Sequence, residues 1–292
     1  MTLDLRAIGM GLAFAIIWSS AFTSARIIVA DASPLASLSL RFFLSGLIGV
    51  GIARAMGQTW RLTREQWRAT LIFGLCQNAL YLGLNFVAMQ WVEAGFAAII
   101  ASTMPLMVAF ALWTIFRERL PTMGIIGLAM GFIGVVIIMQ ARLSAGVDPL
   151  GALLCIIAAV ALTVATLMVR GASGGGNLMM IVGLQMFVGA AVLAVVSTLT
   201  ETIHVNPSPE LVIAFLYTTL FPGVLATWIW FALVARIGAV KAATFHFLNP
   251  FFGVLIAAII LREPLTNSDI LGVAIITGGI LAVQLARARK SS

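Results

Sequence analysis

The stretch FHFLNPFFGVLIAAIILREPL, residues 245–265, sets a proline in the middle of an apolar run and closes on an Arg-Glu pair. Residues 100–120, IASTMPLMVAFALWTIFRERL, do the same 145 positions earlier: Pro105 aligns with Pro250, Arg117-Glu118 with Arg262-Glu263, and Leu120 with Leu265. In a soluble setting a proline inside a helix costs about 3 kcal/mol. A chain that carries this helix twice at one offset has a use for it.

The match extends beyond the two proline helices. At the same offset Ala97-Ala98 aligns with Ala242-Ala243, Gly127 with Gly272, Gly134 with Gly279, and Ala141-Arg142 with Ala286-Arg287. Between and around these markers the chain is almost continuously apolar. Of its 292 residues 62% are hydrophobic and 9% charged, against about a quarter charged in globular domains. A soluble protein is excluded. A membrane-spanning helix needs about 20 apolar residues, and ten such stretches are read, at 7–30, 34–54, 68–91, 94–116, 122–140, 149–169, 178–199, 210–234, 238–261 and 268–286. Residues 55–67 and 200–209 are loops too short to fold alone, and GASGGGN, 171–177, reads as a flexible link between spans six and seven.

The expected fold is therefore an all-α integral membrane protein of ten transmembrane helices in two five-helix repeats, residues 1–143 and 144–292. Five is odd, so the second repeat enters the bilayer from the opposite face, and inverted repeats are an architecture of alternating-access transporters. The net charge of +7 is not a nucleic-acid footprint, because its basic residues sit at alternate span ends. With a cytoplasmic N-terminus, Arg6, Arg54, Arg61, Arg64, Arg68, Arg117, Arg119, Arg170, Arg236, Lys241, Arg287, Arg289 and Lys290 all face the cytoplasm. Arg26, Arg41, Arg142 and Arg262 remain for the other side or the interior. This is the positive-inside bias, with both termini cytoplasmic. No cleaved leader is expected, since the first span is full length without a persuasive cleavage site. Cys76 and Cys155 each lie within a span, so no disulfide framework is expected.

Spans three to five, ALYLGLNFVAMQWVEAGFAAIIASTMPLMVAFALWTIFRERLPTMGIIGLAMGFIGVVIIM, resemble the EamA unit of the drug/metabolite transporter (DMT) superfamily, and so does TTLFPGVLATWIWFALVARIGAVKAATFHFLNPFFGVLIAAIILREPLTNSDILGVAIITGGIL. The shared features are the Ala-rich entry to the fourth helix, its mid-helix Pro, the Glu thirteen residues later and the Gly-spaced fifth helix; WSSAF at 18–22 adds to them. The sixth span carries no tryptophan at the position equivalent to Trp18. The resemblance covers nearly the whole chain and is greatest to bacterial amino-acid and metabolite exporters, including YddG-type exporters of aromatic and other neutral amino acids. It implies export as the direction of transport and the bacterial inner (plasma) membrane as the location.

A transporter needs polar groups on an inward face, because polar side chains in a span are costly. Span three carries Gln77, Asn78, Tyr81 and Asn85 at offsets of three and four, hence on one helical face. Each of them can also serve as an interhelical hydrogen-bonding residue. In span one Trp18 and Phe22 share a face; Trp18 is far from the interfacial belt and reads as substrate-facing, Phe14 as packing. Span eight offers Tyr217, Phe221 and Trp228 on one stripe, with Trp228 and Tyr217 the candidates and Trp230 pointing to lipid or a neighbour. In span nine His246 and Asn249 stand within a turn of Pro250, and Ser102 lies near Pro105. His246 can donate to a substrate carboxylate or carry a proton, against a purely structural role. Pro105 and Pro250 are candidate hinges. Arg41 can hold a carboxylate, but a long stem so near the span end favours snorkelling to the interface. Glu118 and Glu263 precede spans five and ten, whose free N–H groups they are expected to accept.

Absences narrow the function. No Asp or Glu lies mid-span, and there is no Walker A motif and no His/Cys/acidic cluster with metal spacing. No cofactor is expected. Enzyme chemistry on lipids would need a nucleophile with its base, and His246 has no intramembrane carboxylate partner. Ten apolar helices also fit a passive channel, and Gly127-x-x-x-Gly131 admits close packing within the protomer or in a homodimer. The expectation is a carrier for a small-molecule substrate in the lipid bilayer, with a neutral or aromatic amino acid first. Other metabolites or drugs are the alternative. The substrate is expected between spans one, three, four, eight and nine.

Overall fold

The computed structural model describes residues 5–168, 177–237, 242 and 245–290, the side chains of 231, 235 and 287–290 excepted. Most of the Gly-rich link, Arg170, Lys241 and Ala243 lie outside the described residues. The helices follow the ten apolar stretches. In chain order they are α1 (Leu5–Asp31), α2 (Pro34–Ala55), α3 (Arg64–Ala88), α4 (Ala94–Thr114), α5 (Thr122–Ser144), α6 (Pro149–Met168) and α7 (Leu178–Thr200). Then come α8 (Pro209–Thr218, Thr219–Leu225 and Ala226–Ile237, run together), α9 (Phe245–Leu261) and α10 (Asn267–Lys290). Among the described residues, nine helices are long and apolar enough to cross a membrane, and Phe245–Leu261 is a shorter apolar one.

Local sequence explains where several of them start and stop. Pro34 and Pro209 open α2 and α8 at first-turn positions, where a missing N–H costs nothing. Thr63 and Gln66 form a capping box at the start of α3. Just beyond α4 stands Arg117 and at the cap of α9 stands Arg262, the two non-glycine residues with positive φ among the described residues, at 54° and 57°. The repeated Arg-Glu pair is thus first a backbone device: its arginine turns left-handed, at the cap of α9 and three residues past the end of α4.

Four helices depart from α geometry, in two matched pairs. α4 breaks at Thr103, between Ala94–Ser102 and Met104–Thr114, just ahead of Pro105. α9 opens on a 3₁₀ turn, Phe245–Leu248, just ahead of Pro250, and continues as α-helix from Asn249. α3 contains a π-helical segment from Gly74 to Leu82, and α8 one from Thr219 to Leu225. Gly74 and Thr219 are again 145 positions apart. π turns inside α-helices concentrate at functional sites.

The chain forms two compact units that cut across the sequence repeats. One comprises Met1–Thr23, Trp91–Ala152 and Leu225–Ser292; the other comprises Ser24–Gln90 and Leu153–Val224. In the first unit α5 and α10 meet along glycines. A Cβ at Gly127 would lie 2.7 Å from the Gly279 carbonyl oxygen, and one at Gly134 would lie 2.9 Å from that of Gly272. Because Gly127 is the repeat equivalent of Gly272 and Gly134 of Gly279, each contact maps onto the other. The glycines open to a homodimer reading in the sequence are used for packing within the chain. In the second unit α2 and α7 approach through Gly49 and Gly183, a Cβ on Gly49 falling 3.2 Å from the Gly183 Cα.

Candidate functional site

In the first unit the polar and aromatic candidates gather around the α9 break. Phe14, 2% exposed, has its ring centroid 5.6 Å from Trp18, 4.9 Å from Trp230 and 5.3 Å from His246. Trp230 in turn sits 5.1 Å from the His246 ring. The neighbour Trp230 faces is therefore the imidazole itself. The Asn249 amide nitrogen lies 2.9 Å from His246 Nδ1; with the amide N–H as donor, the ring proton resides on Nε2. Ser19 Oγ donates to the Asn249 carbonyl at 3.3 Å and ties α1 to the start of α9. Two polar atoms here are buried with no partner among the described residues, Asn249 Oδ1 and Thr23 Oγ1. Phe22 is buried as well.

Ser102 donates to the Ala98 carbonyl of its own helix at 2.6 Å, so its hydroxyl is committed ahead of the α4 break. Trp228 is 58% exposed. The stripe read from Tyr217 through Phe221 to Trp228 assumes uniform α turns. The wider π turns between Thr219 and Leu225 put the residues after them out of that phase.

In the second unit Tyr217 and Phe221 stack with centroids 5.0 Å apart and 16° between planes. On α3 Asn78, Tyr81 and Asn85 are all buried, but they do different work. Asn78 Nδ2 donates to the Gln185 carbonyl of α7 at 3.0 Å, where a Cβ on Gly189 would lie 2.4 Å from the Asn78 Cβ. Asn78 is thereby an interhelical clamp. Asn85 Nδ2 donates to the Tyr81 carbonyl at 2.8 Å and leaves its Oδ1 buried without a partner among the described residues. Arg41 departs from the snorkelling expectation: it is 6% exposed, and its Nε donates to the Thr218 carbonyl at 3.3 Å.

The helix-start anions are where the sequence reading needs correction. Glu263 serves the start of α4, not that of α10: its Oε1 accepts from Ala94 N–H at 2.7 Å and its Oε2 from Gly95 N–H at 2.8 Å. Burial pushes its carboxyl above the ordinary range, and these two N–H groups pull it back. Glu201 plays the same part at α2, accepting from Leu35 and Ala36 N–H at 2.8 and 3.0 Å. Arg142 escaped assignment in the sequence. It forms a bidentate pair with the fully buried Asp269, both contacts at 2.9 Å, and also bonds Glu93. Arg26 donates to the Met89 carbonyl at the end of α3. Nothing in the apolar pattern signals these partners, which come together only through the fold.

No group of three or more metal-ligating side chains occurs among the described residues. Each unit offers one amide oxygen without a partner among the described residues, Asn249 Oδ1 in the first and Asn85 Oδ1 in the second, together with aromatic faces and one of the two matched pairs of helix irregularities. The comparisons with known proteins point to transport. Over 93% of its length the chain is 27% identical to 90% of the uncharacterized transporter YvbV of Bacillus subtilis (strain 168). It is 25% identical over 93% of its length to 88% of the uncharacterized inner membrane transporter YedA of Escherichia coli (strain K12). A crystal structure of a protein 21% identical shares the fold, with a TM-score of 0.69 over 97% of this chain and 99% of that one. The model of the EamA-like transporter family matches twice, at residues 5–140 and 149–285, so the chain belongs to that family and is a multi-pass membrane transporter of the DMT type.

Proposed function

We propose that this transporter carries small metabolites, neutral or aromatic amino acids first, out of the cell across the inner membrane by alternating access, with both termini cytoplasmic. The observation that carries the reading is the pair of matched breaks: helices interrupted just before Pro105 and Pro250, at equivalent positions of two oppositely oriented repeats. A proline removes the donor for the carbonyl four residues upstream, here those of Ala101 and His246, and leaves each helix free to bend. Helices α3, α4, α8 and α9 rock about these points while the repeats exchange an inward-open for an outward-open state. Aromatic faces from Trp18, Phe22, Tyr217 and Trp228 suit an apolar side chain. Tyr81, Asn85, His246 and Asn249 supply hydrogen-bonding groups, and Asn78 and Ser102 hold the helices that present them. The chemistry is binding and movement, not bond breaking.

Counterflow tests the proposal. Purified protein in proteoliposomes loaded with unlabelled neutral amino acids should take up labelled phenylalanine in a saturable way. The uptake should be trans-stimulated, which a passive channel cannot reproduce. Flux no higher than in empty vesicles would remove the amino-acid reading and move the substrate to other metabolites or drugs. Repeating the assay with a pH gradient reports whether a proton moves with the substrate.

A further inference from the structure

The second unit holds a buried cation, Arg41. Arg41 lies seven residues beyond the start of α2, and its guanidinium donates through Nε to the carbonyl of Thr218. Thr218 is four residues before Pro222, which sits inside the π-helical turn of α8. In the π register the backbone donor to that carbonyl is five residues on, the Gly223 N–H. The Nε bond of Arg41 is a further one, and it fixes the orientation of its planar head. The head also stands over the Phe42 ring at 5.0 Å. Ser45, one turn along α2, donates to the Thr219 carbonyl at 3.4 Å, and Gly223 comes next to both: a Cβ there would lie 3.1 Å from Ser45 Oγ and 3.7 Å from Arg41 Nη2.

The residue does not snorkel. The Ala32–Val205 bridge and the Asn206 N–H bond to the Asp31 carbonyl place the starts of α2 and α8 at one end of the unit. Counted from that end, Arg41 is seven residues along α2 and its acceptor nine residues along α8. The side chain therefore reaches deeper into the apolar zone. A guanidinium cannot shed its proton, and a lone buried charge is strongly unfavourable. Among the described residues no carboxylate pairs with Arg41, and its Nη1 and Nη2 have no hydrogen-bond acceptor.

We infer that Arg41 is a carboxylate-binding residue: its Nη1/Nη2 edge, held by the Thr218 carbonyl, takes the carboxylate of the transported molecule. The edge left open is the bidentate one, which matches a planar carboxylate in geometry. One positive charge calls for a monoanionic group, which excludes polyanions and ranks a zwitterionic amino acid above the corresponding amine. This rests on the reading of the protein as a small-metabolite carrier, but the residue can be tested separately from it.

The experiment is a thermal-shift ladder on the purified full-length protein in detergent with phenylalanine, phenylalaninamide, phenethylamine and 3-phenylpropionate. Both carboxylates should stabilise the wild-type protein, with the amide and the amine binding on the order of tenfold more weakly or worse. Arg41→Met should abolish the preference for acid over amide, and Arg41→Lys should keep part of it. Amide and acid acting equally on the wild type would overturn the assignment, as would an undiminished acid preference in Arg41→Met or the lack of any carboxylate-dependent shift. The wild-type comparison needs no variant, so poor folding of Arg41→Met does not shield the proposal. The two readings separate cleanly. Binding of 3-phenylpropionate without phenylalanine would keep the carboxylate site and discard the amino-acid substrate; equal binding of phenylalanine and its amide would do the reverse.

Discussion

Arg117 and Arg262 stand 145 positions apart, follow equivalent helices, and share a left-handed backbone at φ 54° and 57°. An L-residue other than glycine pays roughly 1–2 kcal/mol for that conformation. At Arg262 the turn directs the chain so that the next residue, Glu263, meets the start of α4. Arg262→Gly keeps the turn and removes the steric cost, less the extra entropy of an unfolded glycine, so it should leave the melting temperature unchanged or raise stability by up to ~1 kcal/mol. Arg262→Val, branched at Cβ, should lower it by ~1 kcal/mol or more. Thermal unfolding in one detergent compares the two, and a valine variant as stable as the glycine variant would refute the backbone explanation.

The Arg142–Asp269 pair gives the next prediction. Asp269 is fully buried, accepts both guanidinium contacts and also accepts from the Thr266 N–H and hydroxyl. Removing one member strands the other in an apolar setting, at a cost of about 3–5 kcal/mol. Arg142→Met and Asp269→Asn should each destabilise strongly, and the double variant should cost clearly less than the two together. Additive losses in the double-mutant cycle would mean that the pair is not coupled.

Glu263 makes the stability pH-dependent with a sign that can be worked out. Burial raises its carboxyl above the unfolded value, so across the interval between the two the folded state binds more protons than the unfolded state. Its contribution is present in full below the ordinary carboxylate range and is lost as pH rises through the raised value. The stability of the wild type relative to Glu263→Gln should therefore decline across that interval and level off above it. A difference that grows with pH would show that the Ala94 and Gly95 N–H groups outweigh desolvation.

How far the sequence discloses this molecule depends on the scale of the interaction. Spans are legible because the bilayer demands about 20 apolar residues in a row, and the repeat is legible because Pro105 and Pro250 punctuate it. The π segments beginning at Gly74 and Thr219 are not, since a shift from one hydrogen-bond register to another is settled by packing between helices. That one unseen change puts Trp228 out of the phase that uniform α turns would give it with Tyr217. Polar partners are illegible for a related reason. Asn78, Asn85 and Asn249 look alike in sequence, but only the fold shows that Asn78 spends its amide on Gln185 while Asn85 and Asn249 keep an oxygen without a partner among the described residues. Glu263 announces a helix-start anion correctly and conceals which helix it serves.

The glycine crossing of α5 and α10 predicts a sharp contrast between neighbours. A Cβ at Gly279 would lie 2.6 Å from the Gly127 carbonyl and 2.7 Å from the Gly131 amide nitrogen, both backbone atoms that cannot step aside. At Gly278 the nearest atom is the end of Met130, at 3.4 Å. Gly279→Ala should destabilise by about 1–3 kcal/mol, as overpacking does. Gly278→Ala should be neutral or slightly stabilising through helix propensity. Equal effects at the two positions would mean that the close approach is not maintained in solution.

The breaks at Pro105 and Pro250 separate a packing role from a working one. If the prolines only accommodate neighbouring side chains, Pro→Ala at either position restores a backbone donor, straightens the helix and leaves turnover alone. If they are hinges, the same substitution removes the compliance on which exchange between states depends, and stability and activity move in opposite directions. The Pro105→Ala/Pro250→Ala double variant should melt at the wild-type temperature or above it, while its counterflow rate falls on the order of tenfold. The single variants should fall between, because one repeat keeps its bendable helix when that of the other is straightened. The discriminating readout is turnover at saturating substrate together with the apparent substrate affinity. A hinge defect lowers the rate without abolishing binding, whereas a packing defect lowers the melting temperature first. Turnover unchanged in the double variant would sink the hinge assignment and leave the matched prolines as relics of the repeat.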